Sequence, residues 1–164
     1  GFGRIGQALA KLAIGAGMEV VFSDMHNDDI DVAIEFFDGQ SLSFTCKNVG
    51  LDGVLAQSDF ISLHVPGGDL IGAAEIAKMK DGVFLLNAAR GGVINEEALL
   101  DALESGKVAG AGLDVFKNEP TPAVKVLMNG KVSLTPHIGA ATGEAQDRIG
   151  TELAAHIDSL AASL

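Results

Sequence analysis

Three short segments carry side chains suited to moving a proton on an organic acid. Asn87-Ala88-Ala89-Arg90-Gly91-Gly92 follows an apolar run at residues 83–86 and ends in a guanidinium with glycines beyond it. An arginine so placed offers a planar fork of donors that grips a carboxylate through two parallel hydrogen bonds, which the point charge of a lysine does not match. Pro136-His137-Ile138-Gly139 supplies an imidazole, whose titration range lets it take and return a hydroxyl proton. Glu119-Pro120 supplies a carboxylate of the kind that orients such a ring and favours its charged form. Each has a plainer explanation when taken alone. An arginine after a strand is commonly a surface or capping residue, a histidine there is commonly structural, and a glutamate before proline is commonly solvated.

An anion-binding segment opens the chain. Gly1-x-Gly3-x-x-Gly6, with Arg4 and Ile5 inside it, leads into a helical pattern, and Asp24 stands eighteen positions after Gly6 at the end of the next apolar run. In a dinucleotide-binding turn the first glycine allows the tight turn, the second lets the backbone approach the pyrophosphate, and the third lets helix and sheet pack closely. Unpaired N–H groups at the helix start then face the phosphates. Asp24 is placed to accept hydrogen bonds from the ribose hydroxyls and to repel a 2′-phosphate, so NAD is expected rather than NADP.

The scaffold that must position these residues is written in the periodicity. Ile5, Ala8, Leu9, Leu12 and Ala13 recur at helical spacing and stop at Gly15 and Gly17. Further helices are predicted at 51–57, 73–79, 96–105 and 143–160, and strands at 20–22, 60–65, 83–87, 110–115 and 132–134. Residues 24–31 read as a loop. Residues 31–50 are the least legible, with a turn at Asp38-Gly39 and a strand near 42–44. Strands separated by helices imply parallel pairing through right-handed crossovers, hence an α/β fold with a doubly wound parallel sheet of the Rossmann type. Residues 1–164 read as one such unit, incomplete at the N-terminus, because the glycine turn normally follows a hydrophobic strand and here opens the chain.

Composition narrows the function classes. With 48% apolar and 20% charged residues, the chain has the balance of a globular protein with a packed core. Its apolar runs fall well short of the roughly 18 residues of a membrane helix, so no membrane partner is expected. A net charge of -11, with eleven scattered Lys and Arg residues, weighs against nucleic acid. Cys46 is the only cysteine, which excludes an intrachain disulfide, and no signal-peptide pattern opens the chain. A cytoplasmic setting and a structural thiol are expected, and no metal.

Taken together, these residues resemble the D-isomer-specific 2-hydroxyacid dehydrogenases, from Gly1 to about Leu160. The resemblance implies that Arg90, Glu119 and His137 form the catalytic set. It implies that Asp114, in Leu113-Asp114-Val115-Phe116, holds the nicotinamide carboxamide. It places His64 of His64-Val65-Pro66 on the adenine side, with a core role for His64 left open beside it. The implied cofactor contacts are Gly1, Gly3, Arg4, Ile5, Gly6, Asp24, His64, Val65, Pro66, Ala88, Ala89, Asp114, Gly139 and Ala140. His26 and His156 match no functional position. The implied partner is a small 2-hydroxy or 2-oxo acid, and the implied full-length protein is a homodimer. Two features depart from the family pattern: the segment after Pro66 is short, and both the first strand and a preceding substrate domain are absent, so the chain alone is expected to be inactive. A second reading stays open, an NAD(H)-sensing regulatory protein of the corepressor kind, because such relatives keep the same three residues. A methyltransferase with a similar glycine loop would leave Arg90, Glu119 and His137 unexplained.

Overall fold

Helical and two-residue periodicities alternate along the chain, and the computed structural model, which describes residues 1–25 and 28–162, turns them into six helices and seven strands. His26 lies outside the described residues. Helix α1 is Arg4–Gly15 and strand β1 is Val21–Phe22. Strands β2 (Ile30–Glu35) and β3 (Ser41–Asn48) form a hairpin. There follow α2 (Gly50–Gln57), β4 (Phe60–Leu63), α3 (Ala73–Lys78), β5 (Val83–Asn87), α4 (Glu96–Ser105), β6 (Val108–Leu113), α5 (Val124–Leu127), β7 (Val132–Leu134) and α6 (Gly143–Ala161). No helix among the described residues is long and apolar enough to cross a membrane.

Strands β4, β5, β6 and β7 lie side by side in that order, all parallel. The register pairs Leu63 with Asn87, Asn87 with Leu113, and Leu113 with Leu134. His64, Ala88, Asp114 and Thr135 therefore step off one sheet edge together, the carboxyl edge where open α/β sheets bind ligands. Helix α4 shows how the sequence anchors this sheet. The Asn95 side chain caps it by accepting from the Ala98 N–H, and Gly106, at φ 82°, ends it in the left-handed conformation that glycine adopts without strain. Its buried residues Leu99, Ala102 and Leu103 share one face. They belong to the same core as Leu55, Ile71, Leu85, Val108 and Val126.

The second sheet has the order β1-β3-β2. Its small core of Phe2, Ala10, Phe22, Val32 and Cys46 lies beneath α1, with the Phe2 and Phe22 rings stacked at 4.0 Å. Burial, and then the charge of Asp31, push the Cys46 thiol up, which fits the structural role expected for it. Between the two sheets sits Gly1, whose amine donates to the Ser23 carbonyl at 2.8 Å while its backbone backs onto the His64 carbonyl.

The hairpin corrects one expectation, a loop through Asp31, and adds an antiparallel pair beside the expected parallel strands. Residues 30–35 alternate, so that Ile30 and Val32 face α1 with Cys46 while Asp31 and Thr45 face solvent, where Thr45 donates to the Asp31 carboxylate. The turn closes when the Phe36 N–H donates to the Gln40 carbonyl, with Gly39 at φ 83°. The strand expected at 42–44 is the middle of the longer β3. Two other strands move: β4 stops at Leu63, and β6 begins at Val108, where it pairs with Val83. The short helix α5 was not expected. The brief segment after Pro66 is accommodated by Gly67 (φ 151°) and Gly68 (φ 103°), and Ile71 then bridges to Ile94.

Two sheets with separate cores should unfold separately. Leu85→Ala, in the β4–β7 core, is expected to cost about 2–5 kcal/mol there. Hydrogen exchange should show lost protection in β5 and β6 with β2 and β3 amides unchanged. A uniform loss across both sheets would mean one cooperative unit.

Candidate active site

At the start of α1 the glycine turn meets the fold's requirements in an uneven way. A Cβ on Gly1 would lie 2.5 Å from the His64 carbonyl oxygen, and one on Gly6 would lie 2.7 Å from the Gly1 carbonyl oxygen, so both positions exclude any side chain by close backbone packing. Gly3 is different: a Cβ there meets nothing within 4 Å. It is the N-cap residue, it offers no side-chain cap, and the first turn holds no acid. The start of α1 thus has no side-chain cap and open space beside Gly3, the arrangement that receives a phosphate. A carboxylate oxygen of Asp24 accepts the Phe2 N–H at 2.5 Å, which ties the acid at the end of β1 to the same turn. These residues fit the pyrophosphate and ribose of a dinucleotide.

Along the other sheet edge, His64 is half-buried with Nε2 against the Ser62 hydroxyl at 3.0 Å. Burial holds its imidazole below the usual histidine range. Val65 touches the Gly1 position, so the His64-Val65-Pro66 segment borders the glycine turn. Arg4 and Ile5 behave otherwise. Both point outward, and Arg4 pairs with the Glu152 carboxylate of α6 at 2.7 and 2.9 Å.

Asn87, buried at the end of β5, builds the turn that carries Arg90. Its side-chain oxygen accepts the Ala89 N–H at 3.1 Å, its side-chain nitrogen donates to the Arg90 carbonyl at 3.0 Å, and its backbone carbonyl accepts the Asp114 N–H at 2.9 Å. The exposed Arg90 guanidinium donates to the Ala89 carbonyl and, among the described residues, makes no ion pair. Immediately after it, a Cβ on Gly91 would fall 1.8 Å from the Phe116 carbonyl oxygen, so the Arg90 turn and the segment leading to Glu119 are in backbone contact.

Glu119 and His137 meet directly. One Glu119 carboxylate oxygen accepts the Phe116 N–H at 2.9 Å, and the other lies 2.7 Å from His137 Nδ1. The hydrogen bond to His137, followed by that from Phe116, keeps the Glu119 carboxyl below the usual glutamate range. The two bonds outweigh desolvation and the nearby charge of Asp114. His137 itself has φ 57°, uncommon for a residue with a Cβ. Asp114 holds the segment in that shape: Oδ1 accepts the Thr135 hydroxyl at 2.6 Å and the Ile138 N–H at 2.9 Å, while Oδ2 accepts the Gly139 N–H at 2.9 Å. Burial opposes its ionisation, but these bonds and the neighbouring His137 outweigh it and hold its carboxyl below the usual range. The sequence had not revealed Asn87 as the builder of the Arg90 turn or Asp114 as the clamp on His137. A signal for the first was present, since Asn followed by small residues and Arg-Gly at a strand end favours a side-chain-closed turn. Ala88 and Ala140 are exposed beside these turns, and the Ala140 carbonyl accepts from the Gln146 side chain at 2.8 Å.

Comparison with known proteins finds that residues 1–139 match the family described as D-isomer specific 2-hydroxyacid dehydrogenase, NAD binding domain. A hydroxypyruvate reductase of Thermotoga maritima is 47% identical over 160 residues, 93% of this chain and 48% of that protein. A D-3-phosphoglycerate dehydrogenase of Mycobacterium tuberculosis is 41% identical over 158 residues, 94% of this chain and 28% of that protein. Among solved structures, a D-lactate dehydrogenase from Aquifex aeolicus complexed with NAD and lactic acid has 32% identity and a TM-score of 0.74, covering 99% of this chain and 52% of that one. The chain thus spans about half or less of the length of these relatives.

The backbone contact at Gly91 makes a sharp test. Gly91→Ala must push the Arg90 turn away from the Phe116 carbonyl, and a displacement near 1 Å at reacting groups costs on the order of 100-fold in rate. Turnover of the full-length protein should fall by about that factor with NADH affinity retained. Normal turnover in a folded Gly91→Ala protein would detach the Arg90 turn from the site.

Proposed function

Because this chain belongs to the D-isomer specific 2-hydroxyacid dehydrogenase family, through that family's NAD binding domain, we propose that it is the cofactor-binding part of an NAD-dependent enzyme interconverting a D-2-hydroxy acid and its 2-oxo acid. The observation that carries the reading is the 2.7 Å contact of His137 Nδ1 with Glu119, set on one sheet edge with the Arg90 turn. The cofactor is NAD, and when bound it supplies the hydride acceptor or donor.

The residues of the chain do the rest. With Nδ1 committed to Glu119, the other imidazole nitrogen, Nε2, is the one left to face a substrate oxygen. In oxidation it takes the hydroxyl proton, and Glu119 stabilises the imidazolium that forms. In reduction the imidazolium returns that proton to the carbonyl oxygen. Arg90, whose charge no acid among the described residues offsets, binds and orients the substrate carboxylate. Asp114 keeps His137 in place and is assigned the nicotinamide carboxamide as well. The N–H groups after Gly3 receive the pyrophosphate, Asp24 the ribose hydroxyls, and His64-Val65-Pro66 the adenine side.

The substrate pair we favour is 3-phosphoglycerate and 3-phosphohydroxypyruvate, within serine biosynthesis. Support comes from residues 112–116, 119–122 and 144–146, which look most like D-3-phosphoglycerate dehydrogenase, and from the relative of that name. A substrate domain and a further strand are assigned to the rest of a longer, cytoplasmic, homodimeric protein, and the 164 residues alone are taken to be inactive. Phe60, Phe84 and Leu86 leave an apolar sheet face for such a segment or a second copy to cover. The regulatory alternative gains no support from relatives named as reductases and dehydrogenases.

Two measurements on the full-length protein check this reading. In the first, Asp24→Ala should weaken NAD binding by about 1.5–3 kcal/mol, the worth of hydrogen bonds to a charged group, and relax discrimination against NADP. Equal use of both cofactors by the wild type would remove Asp24 from its role. In the second, His137→Gln should lower kcat for oxo-acid reduction by roughly 100- to 10,000-fold, the usual contribution of acid–base catalysis, with NADH affinity nearly unchanged. Retained turnover with collapsed NADH binding would make His137 a cofactor-pocket residue and favour the sensing reading.

A further inference from the structure

Glu96 stands on the first turn of α4, where an acid ordinarily does no more than complement the helix dipole. That task is already covered by the Asn95 cap and by Glu97. The half-buried Glu96 side chain instead reaches twenty-one positions along the chain, and its Oε1 accepts the Lys117 N–H at 2.7 Å. The same peptide group carries the Phe116 carbonyl, the oxygen against which Gly91 is packed. A peptide is planar, so gripping its N–H at one end and blocking its C=O at the other fixes its orientation. The next N–H back along the chain, that of Phe116, goes to Glu119. Two consecutive N–H groups are therefore each taken by a carboxylate, one from α4 and one from the acid that meets His137.

We propose that Glu96 is a positioning residue for the proton-transfer pair: by clamping the Phe116–Lys117 peptide it sets the direction of residues 117–119 and holds Glu119 against His137. The inference rests on the roles given above to Glu119 and His137. It assigns α4, a helix that contributes nothing to the reacting groups, the task of linking the Arg90 turn to the Glu119 segment through one peptide plane. The charged groups bearing on Glu119 are His137, which lowers its carboxyl pKa, and Asp114, which opposes that effect.

The test uses the full-length protein and two readouts, steady-state reduction of a 2-oxo acid with NADH and the titration of the Glu119 carboxyl followed by ¹³C NMR. Glu96→Ala should lower kcat about tenfold, the scale of a modest misalignment, with KM for NADH unchanged. It should also move the Glu119 titration up toward the ordinary glutamate range, because its bonds from His137 and the Phe116 N–H loosen together. Glu96→Gln keeps an acceptor in place and should retain most of the rate and the low titration, which separates alignment from a general loss of folding. In a Glu119→Gln background, Glu96→Ala should add nothing further to the rate loss. An unmoved Glu119 titration in Glu96→Ala, or a full additional rate loss in the Glu119→Gln background, overturns the proposal. A raised titration in a protein whose wild type reduces no 2-oxo acid would keep the clamp and discard the reaction assigned above.

Discussion

Asp114 places a carboxylate where the protein buries very few polar side chains, and an acid so placed is costly unless its lone pairs are used. They are used on one short stretch: a hydroxyl from Thr135 and two N–H groups from Ile138 and Gly139. Because these donors flank His137 on both sides, satisfying the acid and bending the chain through the left-handed region at His137 are the same event. The conformation of the proposed acid–base residue is thus sustained by a desolvation penalty located at the end of a neighbouring strand. Gly139 lies close in this arrangement, since a Cβ there would come within 3.1 Å of the Asp114 oxygen.

Parallel pairing supplies the rest of the alignment. Each strand of the β4–β7 sheet ends level with its neighbour, so residues separated by more than twenty positions emerge along one line. Backbone contacts then lock adjacent turns: Asn87 to Asp114, and Gly91 to Phe116. Side chains contribute mostly by holding main-chain groups, which suits turns that must stay fixed while a ligand comes and goes. The end of the site proposed for the phosphates is built differently. There the requirement is an absence, the empty space beside Gly3, framed by two glycines that cannot be anything else.

Most of this was legible because helix and strand signals in residues 50–134 are strong and locally consistent. Caps such as Asn95 and Gly106 coincide with the ends of the apolar pattern, and Glu96–Ser105 and Val83–Asn87 form where the pattern places them. The hairpin was harder. Ile30–Glu35 alternates over only six residues and follows an acidic stretch, while its partner mixes Ser, Thr, Phe and Cys, so neither half carries a clear period alone. Residues 24–31 read as a loop because of their acidic side chains, and tertiary packing of Ile30, Val32 and Cys46 under α1 draws the end of that stretch into a strand. β6 was misplaced by two residues because its Gly and Ala residues carry almost no hydrophobic signal, and pairing with β5 decides where it starts. The residue types of Arg90, Glu119 and His137 were visible. Of their supports, Asn87 works on its own turn, where a local signal exists, whereas Glu96 and Asp114 escape a reading by eye because they act through backbone groups distant in sequence.

How a chain with a net charge of -11 could accommodate an anionic cofactor and the anionic substrate proposed for it follows from where its charges are spent. Lys47, Lys78, Lys80 and Lys107 are each paired with an aspartate at the surface, so these cations and a matching number of acids cancel locally. The remaining acidic charge is spread over a solvated surface, where salt screens it beyond about 8 Å. At the glycine turn, the anion affinity proposed above would come from peptide N–H groups, which carry no formal charge to be neutralised. At the other end, Arg90 keeps a positive charge that no acid among the described residues offsets. Arg4 is the intermediate case. Beside the glycine turn but engaged with Glu152 in an exposed pair, it must exchange one anion for another to reach a phosphate, and exposed pairs contribute too little for that exchange to be a barrier.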